Sequence, residues 1–164
     1  MVEPLVATRE RITQLWTQLQ PFPALRAQLD MVTPDGLLHA LEQRRNVFLE
    51  VADGTAMVIA TNVHPGDDAE VFFVAWDEHL RGKEEAFREA LHYLFHLAGL
   101  RRVTMYTPDD MRVLMKLAWR LGFRWEGVLR QGWVLNGHGG DVHLHGMLRT
   151  ELLAGDRIEP CPMT

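Results

Sequence analysis

Apolar residues recur along this chain with two spacings, and the switches between them predict its elements. Ile12, Leu15, Trp16 and Leu19 fall at helical spacing. Thr8 caps that helix, Glu10 and Arg11 fill its first turn, and Pro21 and Pro23 end it. A short second helix covers about 24–29. Thr33-Pro34-Asp35 puts a cap before a proline at the first helical position and opens a third helix, to about Gln43. The spacing then becomes two. Stretches 46–51, 55–63 and 69–76 read as strands, separated by Asp53-Gly54 and by His64-Pro65-Gly66-Asp67-Asp68. They predict a three-stranded antiparallel meander, whose third strand (AEVFFVAW) is apolar enough for the middle of a sheet.

Helical spacing returns over about 83–97, where Phe87, Ala90, Leu91 and Leu94 share a face, and Gly99 stops it. A short strand covers 102–107. Pro108-Asp109-Asp110 predicts a helix start, with acidic residues at its positive end, and Gly122 closes that helix. Residues 123–135 read as a strand or strand pair with Gly127 and Gly132 as bulges, 136–140 as a loop, and 141–148 as a last alternating strand. Helices, a meander, then helix, strand, helix and strands make the fold class α+β, with a right-handed parallel crossover between 69 and 107. Residues 1–153 read as a single domain and 154–164 as a flexible C-terminal tail.

Composition narrows the function more than the fold. With 17 Lys plus Arg against 22 Asp plus Glu, the net charge of −5 disfavours a nucleic-acid partner. The only cysteine, Cys161, lies between prolines in the tail, where it neither pairs internally nor makes a positioned nucleophile. No apolar run is long enough to span a bilayer, and Glu3 and Pro4 stand where a signal peptide has basic and then apolar residues, so a membrane is excluded and the cytoplasm is expected.

The most specific stretch is Leu117-Ala118-Trp119-Arg120-Leu121-Gly122-Phe123-Arg124-Trp125-Glu126-Gly127. It is similar to the helix, Leu-Gly-Phe, x-x-Glu-Gly segment of the GNAT N-acetyltransferase superfamily, and within it resembles the protein N-terminal and ribosomal-protein acetyltransferase branch. The resemblance implies a mixed, mostly antiparallel sheet of six to seven strands flanked by helices on both faces. It implies acetyl-CoA as co-substrate and an amine-bearing small molecule or protein as acceptor, and leaves the oligomeric state open, a dimer included. A splayed strand holds the pantetheine arm through its backbone, here near Val74, Ala75 and Trp76. A glycine-rich loop then turns its N–H groups onto the diphosphate, here Arg81, Gly82, Lys83, Glu84, Glu85 and Ala86.

Two residues depart from that pattern. Glu84 stands where the loop has its central glycine, and Ala118 where many members carry a proton-donating tyrosine. Met111 and Leu114 replace an Asn and a Ser that the N-terminal branch tends to show. Negative charge about 4 Å from a phosphate costs roughly 1 kcal/mol in water and about 4 at an effective dielectric near 20. The same residues therefore suit a second function, a catalytically inactive scaffold that serves as a binding or structural part of a larger assembly.

Acyl transfer to an amine needs a base for the ammonium proton and a donor for the thiolate. Candidates are Asp109, just past the strand end; Glu50, on an early strand; Tyr106 as acid; and Asp77 and His79 near the splay. Asp109 has a plainer reading as a helix cap, Glu50 as a solvent-facing strand residue, and Tyr106 as a packed aromatic. His92 and His96 share a helix face and His143 and His145 a strand face, yet a metal site needs three or four converging ligands and none is expected.

Overall fold

The computed structural model describes residues 2–6, 8–29, 31, 33–76, 82–135 and 138–154, and of Ala24, Gln28, Leu135, His138 and Ala154 the backbone alone. These residues form seven strands and six helices. They are β1 (Glu3–Pro4), α1 (Arg9–Leu19), α2 (Pro23–Gln28), α3 (Pro34–Glu42), β2 (Val47–Val51), β3 (Ala56–Thr61), β4 (Asp68–Ala75), α4 (Glu84–Leu97), β5 (Arg102–Pro108), α5 (Arg112–Leu121), β6 (Arg124–Leu135), β7 (His138–Leu148) and α6 (Arg149–Ala154). The expected caps are made: the Thr8 hydroxyl accepts from the Arg11 N–H and the Thr33 hydroxyl from the Gly36 N–H. Among the described residues, no helix is long and apolar enough to cross a membrane.

One sheet runs in the order β1-β2-β3-β4-β5-β7-β6, antiparallel except for β4 beside β5. Its two faces bury separate cores, as period-two alternation requires. On one, Val58, Val71, Phe73, Val103 and Met147 pack with Phe87, Leu91 and Leu94 of α4 and with Leu117, Ala118 and Leu121 of α5. On the other, Phe48, Met57, Ile59, Phe72 and Val74 pack with Leu15 and Leu19 of α1 and Leu37 of α3. Phe73 meets Phe87 and Phe123 edge-on at 5.1 and 6.1 Å between ring centres, which joins β4 to α4 and to the turn after α5. Truncating such a buried ring costs about 3–5 kcal/mol. That joint fixes where the loop before α4 sits against the end of α5.

Three sequence expectations need correction, and two elements were not expected. First, α5 begins at Arg112 with Met111 at its N-cap, no side-chain cap and no acidic residue in its first turn, so Asp109 and Asp110 do not cap it. The Asp109 N–H instead donates to the Asp141 carbonyl, which extends the β5–β7 ladder by a residue. Second, residues 138–140, expected in a loop, open β7, because its hairpin with β6 continues through Leu135↔His138. Third, Ala154 ends α6 rather than beginning a tail, while 155–164, with Cys161, lie outside the described residues. The two unexpected elements, β1 and α6, carry too few periodic positions to announce themselves.

Candidate functional site

β4 and β5 pair only at Asp68↔Arg102, Ala69↔Val103 and Glu70↔Thr104, although β4 continues to Ala75 and β5 to Pro108. On their outer edges each keeps a full ladder, β4 with β3 to Ala56↔Ala75 and β5 with β7 to Pro108↔Val142. The two strands therefore diverge from Val71 and Met105 onward, and each turns an unladdered backbone edge into the wedge between them. Buried backbone N–H and C=O groups need partners. A wedge of this kind is a place for a ligand with amide and carbonyl groups.

The expected site residues fall around it. Val74 and Ala75 are buried on opposite faces of the end of β4. Trp76 follows, its backbone N–H tied to Thr55 and its ring edge-on to Phe22. Tyr106 lies half-buried on β5; burial first, then the charge of Glu70, pushes its phenol pKa above the ordinary value. The phenol is thus protonated at neutral pH. Asp109 stands exposed at the end of β5, and its carboxylate has no side-chain partner among the described residues. A Cβ on Gly140 would lie 2.6 Å from Asp109 Oδ1 and 3.0 Å from Trp133 Nε1, so glycine there lets both side chains close over β7. Glu50 is not brought to this group. It is ion-paired with Arg11 of α1, and β2 lies three strand spacings from β5, about 14 Å. Asp77, His79 and Arg81 lie outside the described residues.

The loop before α4 is built on Gly82, whose φ of +86° only glycine adopts without strain. Its N–H donates to Glu84 Oε2 at 2.7 Å, and the Arg120 guanidinium donates to Glu84 Oε1 at 3.2 Å. Hydrogen bonding from its own backbone N–H, then from Gly82 and Arg120, holds the Glu84 carboxyl below the usual carboxylate range against an opposing effect of burial. Glu85 turns away into solvent and pairs with Arg88, which also donates to the Arg120 carbonyl at 3.1 Å. Lys83 is the N-cap residue and Ala86 packs on the core. One of the amides expected to face a diphosphate is therefore held by the chain's own carboxylate.

Sequence reasoning missed several buried polar atoms, of which Thr107 and His145 share the sheet face that packs on α4 and α5 while Trp76 packs on the opposite face. Trp76 Nε1, Thr107 Oγ1, Trp133 Nε1 and His145 Nδ1 are buried polar atoms without a hydrogen-bond partner among the described residues, and all four belong to the diverging half of the sheet. Thr107 pairs with His143 across β5–β7, and the His143 and His145 rings stack at 6.4 Å. Burial, then the neighbouring His143, pushes His145 down to about 4, so this imidazole is neutral. Each such atom costs about 1–3 kcal/mol unless something pairs with it. The alternation in Asp141–Leu148 was the available signal, because it puts His143 and His145 on one face. Ala118, at the tyrosine position, is fully buried and presents nothing to the wedge. Among the described residues, no three His, Cys, Asp or Glu side chains are grouped to hold a metal ion.

Several solved structures share this architecture. A chimera of the Vibrio cholerae spermidine N-acetyltransferase SpeG with hSSAT matches with a TM-score of 0.77 at 18% identity, over 93% of this chain and 99% of that one. Vibrio cholerae spermidine N-acetyltransferase in complex with CoA and spermine matches with a TM-score of 0.74 at 17% identity, over 93% and 98%. A dodecameric form of that enzyme in an intermediate state gives 0.73 at 15%, over 96% and 98%. At these identities the likeness is one of fold, the α+β fold that the GNAT resemblance implies. No protein-family model matches the sequence, and no curated protein matches it.

Proposed function

We propose that the chain is an acetyl-CoA-dependent N-acetyltransferase that moves an acetyl group directly to a primary amine on a small molecule, a lysine or a protein N-terminus. The observation that carries the reading is the divergence of β4 from β5 after Glu70↔Thr104, which exposes ladder groups suited to the amides of a pantetheine arm. The shared fold supports it, since that fold holds CoA and spermine in a Vibrio cholerae relative. In this reading Val74, Ala75 and Trp76 hold the thioester arm, and the loop from Arg81 to Ala86 takes the diphosphate. Asp109, with no partner of its own, accepts the ammonium proton. The freed amine attacks the thioester carbonyl, the C–S bond breaks, and the Tyr106 phenol gives its proton to the departing thiolate. Glu50, tied to Arg11, orients α1 against the sheet rather than touching the substrate.

The Glu84–Gly82 bond favours a second reading, a non-catalytic member of a larger assembly, because it uses an amide the diphosphate needs. Thermal unfolding with acetyl-CoA separates the two. Ligand at 100 times its dissociation constant stabilises the fold by about 2.7 kcal/mol. A rise in Tm with acetyl-CoA, and acetylation of a primary amine seen by mass spectrometry, are the expected results. An unchanged Tm at millimolar acetyl-CoA would leave the scaffold reading.

A further inference from the structure

We infer that Glu84 is an internal competitor for the diphosphate of CoA, and that Arg120 is a diphosphate-binding residue which exchanges the one anion for the other. The inference rests on the acetyl-CoA reading above. The donor set is the argument. Glu84 is the first residue of the 14-residue helix α4, and its two carboxylate oxygens take the Gly82 N–H at 2.7 Å and the Arg120 guanidinium at 3.2 Å. A backbone N–H at a helix start together with a guanidinium is what a phosphate oxygen takes. Here the chain fills that cradle itself.

Two further observations set this apart from ordinary helix capping. Arg120 comes from another element, the end of α5, 36 residues away, and its own carbonyl is held by Arg88 of α4, so the backbone that carries the guanidinium is anchored to α4 independently of Glu84. The Glu84 side chain is 25% exposed, and it can swing into solvent by rotation about its own bonds. Glu85, paired with Arg88 and pointing outward, is not a second competitor. CoA binding is then a replacement, in which apparent affinity falls in proportion to the fraction of time the cradle is vacant. The device raises the cofactor concentration needed for half-occupancy by the inverse of that fraction.

The test is calorimetric titration of acetyl-CoA into the full chain and its Glu84→Ala, Glu84→Gln and Glu84→Ala/Arg120→Ala variants, with amide hydrogen exchange at Gly82 read by NMR before ligand is added. Glu84→Ala is expected to bind about tenfold tighter, the size of one charge-assisted hydrogen bond no longer broken. Glu84→Gln keeps the shape without the charge and is expected to gain about threefold, on the same scale. Removing Arg120 as well cancels the gain. Gly82 exchange becomes faster in Glu84→Ala and slows again with acetyl-CoA. If the unaltered chain binds acetyl-CoA, and Glu84→Ala binds no tighter with Gly82 exchange unchanged, the competitor is overturned and the acetyltransferase reading stands. If neither form binds, both fall.

Discussion

The two sides of the β4–β5 wedge are finished to different degrees. At the loop before α4 the polar groups on display are paired within the chain: Gly82 with Glu84, Glu84 with Arg120, Arg88 with Glu85 and the Arg120 carbonyl. Along the diverging stretch of β5, β6 and β7, Thr107, Trp133 and His145 hold buried polar atoms with no partner among the described residues, and Asp109 an unpaired carboxylate. An orphaned buried donor is costly, and a fold keeps several together only where something else compensates. The loop carries its own substitute for a ligand, and the strand ends do not. On the acetyltransferase reading, affinity for cofactor and readiness for chemistry are set in different places.

Asp109→Asn probes the unfinished side most strongly. As the base, its loss is expected to lower kcat/KM by about 10²–10⁴ with the Kd for acetyl-CoA unchanged. Equal losses in both, measured by steady-state kinetics beside calorimetry, would erase the division of labour. His145 comes next. Its folded pKa lies near 4 against an ordinary 6.5, so below 6.5 the unfolded chain binds the extra proton first. Stability is complete above pH 6.5 and declines by about 3 kcal/mol as pH falls toward 4. Urea unfolding across that range measures it, and His145→Leu should flatten the slope. Thr107→Val is the mildest test. Replacing an orphaned hydroxyl by a methyl of the same shape is expected to raise stability by about 1 kcal/mol while weakening ligand binding. A lower Tm would mean that the hydroxyl is already paired, and that this end is as complete as the loop.

Much of this architecture could be read before any coordinates. The AEVFFVAW run does sit mid-sheet, Thr8 and Thr33 do cap, and the stretch ending in Leu121-Gly122-Phe123 does close a helix, with Gly122 at φ +98° and the Phe123 N–H returning to Ala118. These features are local, so propensity and spacing determine them. The site was legible only by position. That Asp109 is released from helix capping depends on the ladder it extends with Asp141, and that Thr107 meets His143 depends on a register set by two strands far apart in sequence. The sequence shows a glutamate in a glycine's place at position 84. Only the fold shows that its carboxylate reaches back two residues and across to α5.

The strand order has a consequence beyond the site. A seven-stranded sheet has two margins where another chain's backbone can add itself, with aggregation as the result. Here one margin is β1, two residues long and ending in Pro4, which lacks an N–H to offer. The other is β6, twelve residues long, but its ladder shifts register between Trp125 and Gly127 and again between Leu129 and Trp133, with Gln131 forced to φ +53° and its N–H bound by Asp141. Neither margin gives a straight template to an incoming strand, so this sheet is protected from growing sideways into fibres even though Trp125, Leu129 and Val134 lie in the open along it.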